Sequence, residues 1–381
     1  MKARLIAYAA ALLAGMGVLA GCGSGGGHTA SASSVQATTA PLTTSMAEAG
    51  GRTWAIVAMG GSAAAENRFW ELFTRPAGAD GKWELVTPPG VADNGGLVAA
   101  DVRGSVTVAF RPSQGLRYSP LALTSDGGKT WGTGLLDAPV ASAPDSFAAS
   151  ADGTMLALLN NGTVEQATGA GGDWSRLAAP GAVAASPAGR QCQVTSLTGV
   201  AYTPSGTPLV AASCARPGVA GIFARSGNTW SATGPTVPDG QPTQVLRLVG
   251  TPTGDVALLQ TGTDAAATLF AAWTSDGTHW TVSPPLSAGS KAVQASGTGP
   301  AGAVWVLLAD GRAETIAAPG SAWRELLAPP AGTATLAALP GGTFDALVTS
   351  GGKLTVYQLG APDGWAMAQT INVPIQYGSS S

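Results

Sequence analysis

Histidine, cysteine and charge are scarce in this chain, and each shortage excludes something. Its 381 residues include two His and three Cys, with 19 Lys and Arg against 22 Asp and Glu and a net charge of −3. No His and no third Cys lies near Cys192 or Cys214, so a zinc-type ligand set is not expected, and no metal or cofactor is expected at all. The basic residues form no patch, which argues against nucleic acid as a partner. His279 is the one His outside the N-terminal region, and it sits in a turn motif, so a Ser-His-Asp relay has no suitable base. There is no G-x-S-x-G elbow and no phosphate-binding glycine loop ahead of a helix. Beyond the N-terminal region no stretch keeps a 3.6-residue apolar period over a helix length.

What is present begins with an export signal. Lys2 and Arg4 precede an apolar run from Leu5 to Ala20, too short and too rich in small residues for a membrane span. The run ends in Leu19-Ala20-Gly21-Cys22, which resembles the lipobox of bacterial lipoproteins. The resemblance implies cleavage after residue 21, acylation of Cys22, and an extracytoplasmic protein held at the outer face of the cell membrane by its lipid. Residues 22–51 are Gly, Ser, Thr and Ala with little to bury, and are expected to form a flexible tether reaching on the order of 30 Å. Residues 52–378 are expected to be one folded, monomeric domain, followed by a tail over 379–381. The Ala-, Gly- and Pro-rich, Lys-poor composition suggests a high-GC genome such as that of an actinobacterium.

Apolar runs of four to eight residues (SVTVAF, TMLALL, TPLVAA, VWVLLA, FDALVT) alternate with Gly, Pro, Asp and Asn turns throughout the domain, an all-β pattern. Seven tryptophans punctuate it: Trp83, Trp131, Trp174, Trp230, Trp280, Trp323 and Trp365, spaced by 48, 43, 56, 50, 43 and 42 residues. Each follows a polar or Gly-rich turn. This period is that of a four-stranded antiparallel propeller blade, which can bury its faces only by stacking in a ring. Seven blades are expected, with six or eight as alternatives. No inner strand is visible before Trp54, whereas INVPIQY follows the last Trp turn, so residues 373–377 are expected to supply the inner strand of the first blade and close the ring. Once Cys22 is assigned to lipid, Cys192 and Cys214 remain on two strand-like runs joined by a PSG turn, and a disulfide is expected.

The best-preserved turn, Thr124-Ser125-Asp126-Gly127-Gly128-Lys129-Thr130-Trp131, resembles the Asp-box of sialidases and related BNR-repeat propellers. Thr274 to Trp280 is similar, one residue shorter, with Asp276 and Gly277 in the matching places. In that family the box is the hairpin between a blade's third and fourth strands. The resemblance implies that the Asp binds turn N–H groups, Gly supplies a positive φ and the Trp packs between blades, all structural roles. Photosystem assembly factors carry similar boxes, which makes an envelope assembly role conceivable by analogy. Sialidase chemistry would require three converging arginines, a Tyr–Glu pair and an Asp. Here Phe110-Arg111-Pro112-Ser113 only partly matches the family's first-arginine motif, and Arg225, Arg247 and Arg312, like Tyr357 and Tyr377, lie in no matching context.

In a propeller the loops between strands two and three, and between blades, share the end opposite the Asp-boxes, and a binding site is expected there. The candidates are Arg111, Arg117 and Tyr118 in RPSQGLRYSP, Arg216 beside Cys214, Glu66 and Arg68, Asp264, and Asp310 with Arg312. Two guanidiniums and a ring within eight residues would suit an anionic or sugar ligand. The expected function is a noncatalytic binding or scaffold module for an envelope protein or glycan, with a sialidase-like exo-glycosidase as the alternative.

Overall fold

A strand with both faces covered needs apolar residues at every position, and that is how the second strand of each repeat is written. The structure, a computed structural model, describes residues 36–37, 44–49, 51–60, 68–78, 81–88, 96–100, 105–110, 121–133, 144–169, 172–251, 253–262, 266–299, 302–360 and 364–373. Within them the chain is almost wholly β. Sheet 1 comprises Thr44–Ala49, Arg52–Gly60, Arg68–Pro76 and Glu84–Leu85; sheet 2 comprises Gly96–Ala100, Val106–Phe110, Leu121–Thr124 and Gly132–Thr133. Sheet 3 is built from Ser146–Ala149, Met155–Leu158, Val164–Ala167 and Ser175–Ala178. Sheet 4 has ten strands and holds two consecutive antiparallel runs. Run 4a is Val194–Tyr202, Pro208–Cys214, Gly221–Ser226 and Thr229–Ala232; run 4b is Thr243–Thr251, Gly254–Thr261, Ala267–Thr274 and Thr281–Val282. The pairs Ser213↔Gln244 and Cys214↔Thr243 join the two runs. Gln36–Ala37 adds in parallel to Val194–Tyr202, and Leu286–Gly289 adds to Ala267–Thr274. Sheet 5 comprises Val293–Thr298, Val304–Leu308, Ala313–Ile316 and Arg324–Glu325; sheet 6 comprises Thr333–Ala338, Phe344–Ser350, Lys353–Gly360 and Gly364–Asn372.

Each sheet packs on the next, and sheet 6 packs back on sheet 1, so the chain closes on itself in a β-propeller. The tryptophan series explains the packing. Trp131 joins the cluster between sheets 1 and 2, Trp174 that between 2 and 3, and Trp230 that between 3 and 4a. Trp280 sits between 4a and 4b, Trp323 between 4b and 5, Trp365 between 5 and 6, and Trp83 between 6 and 1. Each ring contributes apolar area to an intersheet seam, and its indole N–H still needs an acceptor. Trp280, Trp323 and Trp365 donate to the carbonyls of Thr233, Pro284 and Leu327 of the preceding repeat at 2.6, 3.0 and 3.0 Å. Trp83 donates instead to the Asp345 carboxylate at 2.8 Å.

Three sequence expectations are corrected. First, the inner strand of sheet 1 is Thr44–Ala49, from within the expected tether, paired antiparallel with Arg52–Gly60. Its short alternation suffices because its two faces meet different neighbours: Met46 packs toward sheet 6 and Ala47 toward sheet 2. Second, the C-terminal run does not take that place. Gly364–Asn372 is the outer strand of sheet 6, and the N–H of Val373 goes to Gly352 O at 2.6 Å; residues 374–377 lie outside the described residues. Third, two short helices occur, Ala182–Ala185 and Pro187–Cys192, too brief to show a period in sequence. Pro187 starts the second, and the Ser186 hydroxyl caps it by accepting from Gly189 N at 3.0 Å. Cys192 therefore ends a helix rather than lying on a strand. It forms the disulfide with Cys214 across a Cα separation of 5.2 Å.

Candidate functional site

Every inner strand runs toward the same end of the ring, so the turns from first to second strand and from third to fourth strand share that end. The two Asp-box turns are third-to-fourth turns. In the first, the Asp126 carboxylate accepts from the N–H groups of Lys129 and Thr130, both at 3.0 Å, and from the Thr130 hydroxyl at 2.6 Å. The Thr124 hydroxyl donates to Asp126 at 2.8 Å and accepts from Gly128 N at 3.0 Å. Gly128 has φ +87°, and a Cβ there would stand 2.8 Å from Val86 Cβ, so glycine is required. In the second box Asp276 accepts from the N–H groups of Thr278 and His279 at 2.8 Å and contacts His279 Nδ1 at 2.6 Å, while Gly277 N donates to the Thr274 hydroxyl at 3.0 Å. These bonds hold both carboxyls well below the usual carboxylate range: the Thr130 bonds lead at Asp126, the His279 bonds at Asp276. Both carboxylates are spent within their own turns.

The same end carries a cavity of about 540 Å³ on the ring axis. Its walls are the ends of the inner strands and the turns after them: Met46 to Glu48 in sheet 1, Phe147 to Ala149 in sheet 3, Val200 to Tyr202 in run 4a and Leu248 to Thr251 in run 4b. Arg52, Gly302 and Pro340 complete the mouth. Gly127 of the first Asp-box lies against Arg52, since a Cβ there would be 3.6 Å from the guanidinium carbon. The size suits a small organic ligand or a peptide side-chain cluster.

Three described ionisable groups line the cavity. Arg52 is committed elsewhere, donating to Thr74 Oγ1 at 3.2 Å and pairing with Glu84 at 3.1 Å. The Tyr202 hydroxyl accepts from Gln166 Nε2 at 3.2 Å, and burial raises its pKa. Glu48 is hemmed in by protein yet open to water through the cavity, and this desolvation lifts its carboxyl to about 7. Deeper along run 4b, Arg247 is surrounded by protein, which lowers its pKa. Below the second Asp-box, burial lifts the unpartnered Asp255 carboxyl to about 7.

At the opposite end, where a site was expected, a second cavity of about 630 Å³ is lined by Trp70, Gln294, Asp310, Gly332 and neighbours. Asp310 is tied to Arg312, accepting from its backbone N–H and from Nε, each at 3.1 Å, and these bonds lower its pKa. Arg216 is exposed and reaches Gln191 O at 3.4 Å beside the disulfide. Arg111, Arg117, Tyr118, Glu66 and Asp264 lie outside the described residues, as does the side chain of Arg68. The downstream arginines do not converge. Arg225 hydrogen-bonds Leu177 O and stacks over Trp230 at 5.5 Å, Arg247 stands on the inner strand of run 4b, and Arg312 pairs with Asp310. Tyr357 packs at the seam between sheets 5 and 6, and Tyr377 lies outside the described residues.

The sequence reading missed Glu48, Phe147 and Tyr202. The signal for Phe147 and Tyr202 was their place near the end of an inner strand, just before a turn. Glu48 was hidden in a Ser/Thr/Ala-rich stretch with no apolar run.

No protein-family model matches the sequence, and no curated protein matches it. Among solved structures, the chain is similar to a protein from Lactobacillus plantarum, with a TM-score of 0.54 and 11% identity over 85% of this chain and 96% of that one. It is similar to YCF48 bound to D1 peptide (TM-score 0.46, 19% identity, 71% and 80% covered). It is also similar to the Aleuria aurantia lectin in complex with Fucalpha1-6GlcNAc (TM-score 0.39, 17% identity, 74% and 97% covered). At these identities the likeness concerns the fold.

Proposed function

We propose that this chain is a noncatalytic binding module: a seven-bladed propeller, two of its blades fused in sheet 4, anchored through lipid on Cys22 to the outer face of the cell membrane. Its ligand is an envelope protein or glycan, and it enters the axial cavity beside the Asp-box turns. One observation carries the reading: the inner-strand ends of sheets 1 and 3 and runs 4a and 4b converge on one cavity of about 540 Å³, with aromatic, aliphatic and ionisable groups on its wall. A ring of intersheet seams, each holding a tryptophan of the repeat series, is a rigid frame for such a site.

The test presents arrayed envelope glycans and peptides to the full chain and to Ala149→Phe, which fills the cavity from its wall. A binder should appear whose retention falls about tenfold in the variant, with its melting temperature little changed. Retention untouched by Ala149→Phe but lost in Arg111→Ala/Arg117→Ala or Asp310→Ala would move the site to the opposite end. For the anchor, Cys22→Ala should release the protein from the membrane fraction.

A further inference from the structure

We infer that the axial cavity selects a ligand bearing a cationic amine on an apolar body, with Glu48 as the counter-charge; this rests on the cavity being the binding site. Glu48 lines the cavity from the inner strand of sheet 1 and makes no hydrogen bond or ion pair among the described residues, although protein surrounds much of it. A carboxylate so placed is underused: it faces the water of a confined cavity, and no cation among the described residues compensates it. The charged and titratable groups facing it do not fill that role. Arg52 points its guanidinium at Thr74 and Glu84, and Tyr202 is held by Gln166. Arg247 directly precedes the lining Leu248 on the inner strand of run 4b but is not itself among the lining residues, and burial alone, with no charge interaction between the two, shifts the pKa of both it and Glu48. The remaining described wall is apolar or neutral: Met46, Phe147, Leu248 and Val249 from three different inner strands, with threonines and turn glycines at the mouth.

An ammonium entering this site restores what Glu48 lacks. It forms a charge-assisted hydrogen bond in a partly dehydrated place, where such a bond is worth more than at an open surface. The body of the ligand lies against Phe147 and Leu248. A ligand anion would meet an uncompensated carboxylate and be rejected. Because the free carboxyl titrates near neutrality, amine binding strengthens as pH rises through about 7, where Glu48 ionises.

The experiment titrates the full chain with three probes of one shape: 2-(1-naphthyl)ethylammonium, the matching neutral alcohol, and 1-naphthylacetate. At about pH 8.5 the amine should bind about tenfold more tightly than the alcohol, with the carboxylate weakest, and the preference should shrink at about pH 5.5. Glu48→Gln should erase the preference and its pH dependence while leaving the affinity for the alcohol unchanged and the melting temperature no lower. Equal binding of amine and alcohol, or a preference that survives Glu48→Gln, overturns the inference and leaves the cavity standing as a site. Failure of all three probes to bind overturns both the inference and the axial-site reading.

Discussion

The seam between sheets 6 and 1 and the seam between runs 4a and 4b perform the same task with different means. Runs 4a and 4b are consecutive in sequence, share two strand rungs, and have a disulfide beside the join. Sheets 6 and 1 come from opposite ends of the domain, so side chains must supply the specificity. Arg75 and Asp345 form an ion pair at 3.1 Å with 3% of each side chain exposed, and Trp83 Nε1 donates to the same carboxylate. The Gln369 amide accepts from Trp83 N at 2.9 Å and donates to Trp83 O at 2.8 Å, and Gly60 N reaches Gly351 O at 2.9 Å. The contrast extends to two aspartates, each at the second position of a second strand. Burial raises the pKa of both, but the Trp83 bond and Arg75 oppose the rise at Asp345, while nothing opposes it at Asp255. A buried carboxylate thus fastens one seam and burdens the other.

The largest effect should come from breaking the fastened seam. Arg75→Met leaves Asp345 buried with only the neutral partners Trp83 and Gln358, and denaturant unfolding should show a loss of about 3–5 kcal/mol. Replacing both Arg75 and Asp345 with apolar residues should recover much of it.

At the other join, Cys192→Ser/Cys214→Ser should cost about 3 kcal/mol under oxidising conditions, since the bridge spans 22 residues. The same reagent series in reductant should abolish the difference between wild type and variant.

Asp255→Asn works in the opposite direction. The folded-state pKa of Asp255 lies above its unfolded value, so the native state holds a proton that the unfolded chain releases between about pH 4 and 7. Stability therefore falls as pH rises through that window. The substitution should flatten this slope and raise stability by about 1–2 kcal/mol at neutral pH, read from melts across pH. A variant with the wild-type slope would show that Asp255 is ionised and compensated.

Smallest is Asp126→Ala, at an exposed turn. It should lower the melting temperature slightly and leave the pH dependence of amine binding intact.

How much of this was legible in sequence follows from what each element contacts. The tryptophans could be read because each marks a seam through a local turn, and the period survives wherever the strands are buried on both faces, as in VWVLL at Val304–Leu308. The inner strand of sheet 1 was not legible, because its edge borders the axis and Met46, Ala47 and Glu48 carry no run of large apolar residues. For the same reason the seam partners stayed hidden: Trp83 and Gln369 are 286 residues apart, and nothing local to either announces the other. The site was sought at the opposite end because the second-to-third and interblade loops of a propeller share it and carry Arg111, Arg117, Tyr118 and Arg216 in sequence, whereas the axial cavity is made chiefly from strand ends and turn glycines whose small size reveals its shape only when the ring closes.

The most direct measurement is a crystal structure of the full chain soaked with 2-(1-naphthyl)ethylammonium. The account predicts density on the ring axis beside the Asp-box turns, with the ammonium at Glu48 and the ring against Phe147 and Leu248. Density at the opposite cavity beside Asp310, or an empty axis with an ordered Glu48, would contradict it.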